Sequence, residues 1–67
     1  MEEKIQTVKR LIFQLSKEFG NIIEIDEIIS LAIDENINKK DAMKAIKALE
    51  EGGIINTVDD KTIEVNS

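Results

Sequence analysis

The first nineteen residues carry apolar side chains at helical spacing, and this pattern constrains the fold more than any other feature of the chain. The apolar positions recur at intervals of three and four residues, as on one face of an amphipathic helix. They are Ile5, Val8, Ile12, Leu15 and Phe19. Lys17 near the end of the segment and Gly20-Asn21 after it are typical of a helix C-terminus. The pattern predicts a helix from Glu2 to Phe19.

The whole chain is short, so one small domain over residues 1–67 must enclose an efficient apolar core. The sequence has no Cys and no His, which excludes a disulfide scaffold, thiolate-bound zinc and the usual general base. It also has no Trp or Tyr on which bases could stack. No apolar run is long enough to span a membrane, and the N-terminus lacks a signal-peptide core. We expect a soluble cytoplasmic domain with no enzyme activity, cofactor or metal.

A short strand and a second helix are predicted after the first turn. Ile22–Ile25 is rich in β-branched residues, and Asp26 is a suitable N-cap for a helix that continues to about Glu35. The predicted apolar face of this helix consists of Ile28, Ile29, Ala32 and Ile33. Asn36 can end the helix in the left-handed conformation.

A third helix begins at Asn38, with Asp41 placed to complete a capping-box-like pair. One face of this helix is apolar and consists of Ala42, Ala45, Ile46 and Leu49. Its opposite face carries Lys40, Lys44 and Lys47. The pair Gly52-Gly53 is expected to end the helix.

The last segment predicts a β-hairpin with strands Ile54–Val58 and Lys61–Val65. Asp59-Asp60 would form a two-residue turn, which places Ile54 opposite Val65. The short first strand is expected to pair with the hairpin in a three-stranded sheet. Helix, strand, helix, short turn, helix and hairpin are the elements of an α+β winged helix, in which a helix-turn-helix precedes a β-hairpin wing.

The sequence resembles a known family in the segment Asp34–Ile55, which reads DENINKKDAMKAIKALEEGGII, preceded by IEIDEIISLA and followed by DDKTIEV. It is similar to the C-terminal winged helix of archaeal minichromosome maintenance (MCM) replicative helicases, and the resemblance covers the whole chain. One departure is Asn36, at a position where such domains often carry Gly. The resemblance implies a non-catalytic accessory domain that modulates the helicase and contacts partners. The ATPase sites, the zinc-binding region and the DNA channel of such helicases lie elsewhere in the parent chain.

The lysines of the third helix are the candidate DNA-binding residues, because a helix-turn-helix places this helix in the major groove. They are Lys39, Lys40, Lys44 and Lys47. The alternative is an ordinary solvated face, with Lys47 paired to Glu51. A net charge of −5, an Asp59-Asp60 tip and the absence of Arg, Asn or Gln after the cap predict weak, sequence-independent contacts to phosphates.

Two further features of the sequence bear on function. Phe13 lies off the apolar stripe and is a candidate protein contact if exposed, or a core residue if helix one is covered on two sides. The acidic residues of the second segment lack metal-loop spacing and are expected to form a solvated surface. They are Glu24, Asp26, Glu27, Asp34 and Glu35.

Three functions remain open from the sequence. The first is the accessory domain of an MCM-type helicase, and the second is a small stand-alone DNA-binding regulator. The third is a winged helix that binds only protein, in another complex. We expect the isolated domain to be a monomer that binds DNA weakly or not at all and does not bind membranes, and we expect it to act with a protein partner or parent helicase.

Overall fold

The computed structural model describes residues 1–66, which form three helices and one three-stranded antiparallel sheet. The elements in chain order are α1 (Glu2–Phe19), β1 (Ile22–Glu24), α2 (Ile25–Asp34), α3 (Lys39–Glu51), β2 (Ile55–Asp59) and β3 (Thr62–Val65). The strand order is β1-β3-β2, so the strand between the first two helices pairs with the second strand of the hairpin. The protein is therefore of the α+β class, with every predicted element present.

Helix α1 has the predicted bounds and buries its apolar stripe through Val8, Ile12 and Leu15. Phe19 was predicted to belong to this stripe, and that prediction is wrong, since its side chain is 70% exposed. The reason is its place in the last turn of the helix. The chain leaves α1 at Gly20, whose φ of +94° directs it into β1, so no other element covers Phe19.

Helix α2 differs from the prediction in its first residue and in one member of its buried face. Asp26 is not the N-cap, because the helix already begins at Ile25 and no side chain caps it. The Ile25 N–H instead donates to the Lys61 carbonyl at 2.8 Å, and its side chain is buried. Ile25 replaces Ile33 on the buried face. At 100° per residue Ile33 lies at the edge of that face, and it is 54% exposed.

The ends of α2 and α3 are formed as predicted. Asn36 has φ +65° and Gly53 has φ +78°, and each is the left-handed residue that follows its helix. The N–H of the next residue donates to the carbonyl five positions earlier, Ile37 to Ala32 and Ile54 to Leu49. Both ends are thus Schellman motifs, which satisfy otherwise unpaired helix carbonyls.

The N-terminus of α3 is capped by Asn38, whose side-chain oxygen accepts from the Asp41 N–H at 2.8 Å. This half of the predicted capping box is confirmed. The Asp41 carboxylate does not reach back to Asn38, because it accepts a hydrogen bond from Lys4 on α1. Asp41 therefore completes the cap through its N–H and joins α3 to α1 through its side chain.

The hairpin register differs from the prediction by one residue. Ile55, not Ile54, lies opposite Val65, and a β-bulge at Val58 precedes a turn at residues 60 and 61. A one-residue slip moves every side chain of a strand to the other face. The observed register places Ile55 in the core beside Val65, and the bulge leaves Val58 53% exposed.

All six elements contribute to one core, and every buried side chain among residues 1–66 is apolar. The largest fully buried side chains are Ile12, Ile28, Ile55, Ile63 and Val8. Among these same residues, no helix has the length and apolar character needed to cross a bilayer.

Candidate nucleic-acid interface

Helix α3 carries four exposed lysines. They are Lys39, Lys40, Lys44 and Lys47. The opposite face of α3 is buried through Ala42, Ala45, Ile46 and Leu49 and packs on α1 and α2. Helical periodicity therefore fixes Lys40, Lys44 and Lys47 in solvent, as the sequence predicts, and Lys39 is exposed beside them in the first turn of the helix. We call these four residues the α3 lysine face.

No side chain of the α3 lysine face takes part in an ion pair within the part of the chain that the structure describes. The two ion pairs of residues 1–66 join Lys4 to Asp41 at 2.6 Å and Arg10 to Glu35 at 3.3 Å. The predicted pair between Lys47 and Glu51 is not formed. The ammonium groups of this face are thus available to an external anion.

Asp41 is the one acidic residue in the first turn of α3. The hydrogen bond that Lys4 donates to it lowers the pKa of the Asp41 carboxyl, and the charges of Lys4, Lys44 and Lys40 act in the same direction. Because its hydrogen-bonded partner belongs to α1, Asp41 leaves the ammonium groups of Lys40 and Lys44 free of a direct contact.

A groove separates α3 from the hairpin. Lys44 and Lys47 line its helix side, and Asp59 and Asp60 line its hairpin side. Its apolar lining comes from Ile25, Met43 and Ile46.

Two hydrogen bonds hold the hairpin side of this groove. The Thr57 hydroxyl donates to the Glu50 carboxylate and joins β2 to α3. Asp59 accepts from the Lys61 N–H at 2.8 Å, which fixes the hairpin turn. Positive and negative charges therefore face each other across an apolar floor. The carboxylates of the hairpin tip repel any phosphate that approaches the lysines.

The chemistry of α3 favours phosphates over base edges. Bidentate reading of bases requires Arg, Asn, Gln or a similar fork of donors and acceptors. The exposed side chains of the helix are Lys39, Lys40, Met43, Lys44, Lys47, Glu50 and Glu51. The nearest amide, Asn38, is engaged as the N-cap. What remains is a set of flexible point charges suited to non-directional contacts with an anion.

Met43 was missed by the sequence reasoning and is 40% exposed in the centre of the α3 lysine face. It lies three residues after Lys40 and four before Lys47, so it shares their side of the helix. This spacing is visible in the sequence, so Met43 could have been identified from it. Methionine adapts to irregular surfaces, and an exposed one is commonest at binding surfaces for proteins.

Phe13 is 37% exposed, so α1 is not covered on that side. The Lys9 ammonium lies 5.8 Å from the centroid of its ring, within the range of a cation–π contact. All five acidic residues of the second segment are exposed, as expected for a solvated surface: Glu24, Asp26, Glu27, Asp34 and Glu35. Across residues 1–66, no three carboxylates converge in an arrangement that could hold a metal ion.

Comparisons of this chain with models of protein families, with curated proteins and with solved structures find no match.

Proposed function

We propose that the chain is a non-catalytic winged-helix domain whose third helix makes weak, sequence-independent contacts with DNA phosphates. Support for the winged-helix assignment comes from the connectivity. A short turn over residues 35–38 joins α2 to α3, the hairpin follows α3, and β1 completes the sheet beside β3. In a helix-turn-helix the second helix of the pair is the one presented to the major groove.

The observation that carries the DNA contact is the α3 lysine face, with four exposed ammonium groups outside any ion pair of residues 1–66. The net charge of −5 and the acidic tip of the hairpin keep this contact weak. Such a contact positions a domain on DNA that another part of an assembly has already engaged.

The assembly that we propose is an MCM-type replicative helicase, and the proposal rests on the resemblance across Asp34–Ile55. In that setting the domain modulates the helicase and supplies none of its catalytic groups. The coding sequence upstream of Met1 provides the test. A long ATPase domain read in frame with this chain supports the proposal, whereas an independent translation start overturns it in favour of a stand-alone regulator.

Fluorescence anisotropy with a labelled 20-base-pair duplex tests the DNA contact. We expect measurable binding at low salt, with a log–log salt slope near −3 if about three lysines engage phosphates. Replacing Lys40, Lys44 and Lys47 together with Ala should abolish this binding and leave folding intact, because exposed helix positions accept Ala. A dissociation constant below about 1 μM at physiological salt would contradict a weak contact.

A matched control removes the same amount of positive charge from α1. Substitution of Lys9, Arg10 and Lys17 by Ala lowers the net charge equally but leaves the α3 lysine face intact. This variant should still bind the duplex at low salt, whereas the α3 variant of the same net charge should not. Equal loss in both variants would mean that overall charge, and not α3, governs the contact.

The second candidate is a winged helix that binds only protein, and the observation that favours it is the apolar floor of the α3 groove with exposed Met43. Amide chemical-shift mapping with duplex DNA at low ionic strength distinguishes the two. Perturbations along α3 support the DNA contact, whereas an unperturbed α3 supports the protein-binding alternative.

A further inference from the structure

The side of α1 that faces away from the core is positively charged in an acidic molecule. Residues 4–17 contain four bases and no acid, so with a total of −5 the rest of the chain carries −9. The exposed surface of this stretch is lined by Gln6, Lys9, Arg10, Phe13, Gln14 and Lys17. No acidic side chain lines it. We call this surface the α1 basic face.

Lys9, Phe13 and Lys17 form a line along the α1 basic face, because they are spaced four residues apart. With a rise of 1.5 Å per residue, the two lysines are about 12 Å apart along the helix and the ring lies midway between them. Phe13 is 37% exposed and Lys9 contacts its ring. Neither lysine belongs to an ion pair of residues 1–66. This arrangement is an aromatic anchor between two available cations.

Arg10 adds a third cation that can change partner. It pairs with Glu35 at 3.3 Å, but the two side chains are 52% and 45% exposed. A pair this exposed contributes little to stability, so an incoming carboxylate can compete for the guanidinium at little cost.

We propose that the α1 basic face is the docking site for a short acidic segment of a partner protein. The segment places an apolar side chain on Phe13 and a carboxylate on either side of it, at Lys9 and Lys17. A helix with an apolar residue flanked by Glu four residues before and after has this spacing. The proposal extends the protein contacts of the proposed accessory role, but it rests on α1 alone and is independent of the α3 lysine face.

The charges at the two ends of α1 favour a short protein segment over a nucleic acid. Glu2 and Glu3 lie at one end of the helix and Glu18 at the other, with Glu24 and Glu27 beyond it beside Phe19. A polyanion that follows the face would continue onto these carboxylates. At physiological salt these charges are screened beyond about 8 Å. A short segment that ends at Lys17 therefore meets one close acid, the adjacent Glu18, whereas a longer polyanion also meets the other carboxylates.

The test is an NMR titration of the isotopically labelled chain at physiological salt. The probe is a synthetic 15-residue peptide helix with a central Leu flanked by Glu at four residues on each side. A scrambled peptide of the same composition and a 12-base-pair duplex are titrated in parallel. We expect shifts of amides 6–17 with the patterned peptide, and weaker or no shifts there with the other two probes.

Substitutions identify the groups that bind. Phe13→Ala should weaken peptide binding about two- to tenfold, as expected for the loss of an aromatic contact. Lys9→Gln and Lys17→Gln should each weaken it by up to about fivefold, the range of an exposed ion pair. The matched control, Lys44→Gln with Lys47→Gln, should leave peptide binding unchanged.

Three results overturn the proposal: no shifts along residues 6–17, equal binding of patterned and scrambled peptides, or peptide binding that survives Phe13→Ala unchanged. Stronger perturbation of this face by the duplex than by the peptide would assign it to nucleic acid instead. Failure here is distinguishable from failure of the proposed DNA contact, because that contact is read from duplex binding by the α3 variants.

Discussion

The two adjacent glycines at the end of α3 have different conformational requirements. Gly53 has φ +78°, whereas Gly52 has φ −80° and remains in the right-handed helical region. A side chain at Gly53 would therefore be strained although the space around it is open. A Cβ at Gly52 would lie 3.5 Å from the Ala48 carbonyl oxygen, which is ordinary contact. Only one glycine of the pair is needed for the Schellman motif.

We expect Gly53→Ala to lower the free energy of unfolding by about 1 kcal/mol, the cost of the left-handed conformation for a residue with a Cβ. Gly52→Ala should be neutral or stabilise the protein by up to about 1 kcal/mol, since it restricts the unfolded chain without native strain. Urea unfolding followed by circular dichroism measures both. Equal destabilisation by the two substitutions would contradict the Schellman geometry.

Helix caps and left-handed residues could be predicted from the sequence where no tertiary contact competes with the local preference. Asn36 and Asn38 are found in the predicted roles, because a left-handed residue and an N-cap are defined by the local backbone. Asp26 is not an N-cap because the burial of Ile25 moves the start of the helix. The contact between Lys4 and Asp41 joins residues 37 positions apart, which no local pattern reveals.

At the scale of elements, the hairpin shows how the core overrides a turn rule. A two-residue turn at Asp59-Asp60 is a reasonable prediction from the sequence alone. It would place Ile55 on the opposite face from Ile63 and Val65. The bulge at Val58 restores all three residues to the core at the cost of one unpaired position. Bulges depend on the packing of the neighbouring elements, so they leave little signal in a single sequence.

The register makes a direct prediction for two neighbouring isoleucines. Ile55 is fully buried, and Ile55→Ala should lower the free energy of unfolding by about 2–5 kcal/mol. Ile54 is only partly buried and packs against the edge of the core, so Ile54→Ala should cost clearly less. Chemical denaturation of both variants provides the comparison. A larger loss at Ile54 would indicate the register with Ile54 opposite Val65.

At the scale of the whole molecule, the distribution of charge determines which anions the domain can accept. The exposure of the lysines on α3 could be predicted from helical periodicity, since the buried face fixes the opposite one. The groove that brings Lys44 and Lys47 opposite Asp59 and Asp60 could not, because it depends on how the hairpin packs against the helix. We expect the same packing to set the strength of the proposed DNA contact.

The acidic hairpin tip offers a test of this balance between local and overall charge. Asp60 lines the groove beside the α3 lysine face, and its carboxylate is not needed for the turn, where Asp59 makes the hydrogen bond to Lys61. We expect Asp60→Lys to strengthen low-salt binding of the 20-base-pair duplex and to make the log–log salt slope more negative by about 1, because one further cation meets a phosphate.

Glu64→Lys changes the net charge equally but acts on the other face of the sheet. Glu64 lies opposite Asn56 in the strand pairing, and it alternates with the core residues Ile63 and Val65. This control should leave the salt slope unchanged, and anisotropy titrations over a range of salt concentrations measure both variants. Equal changes of slope in the two variants would show that DNA responds to the overall charge of the domain and not to the groove between α3 and the hairpin.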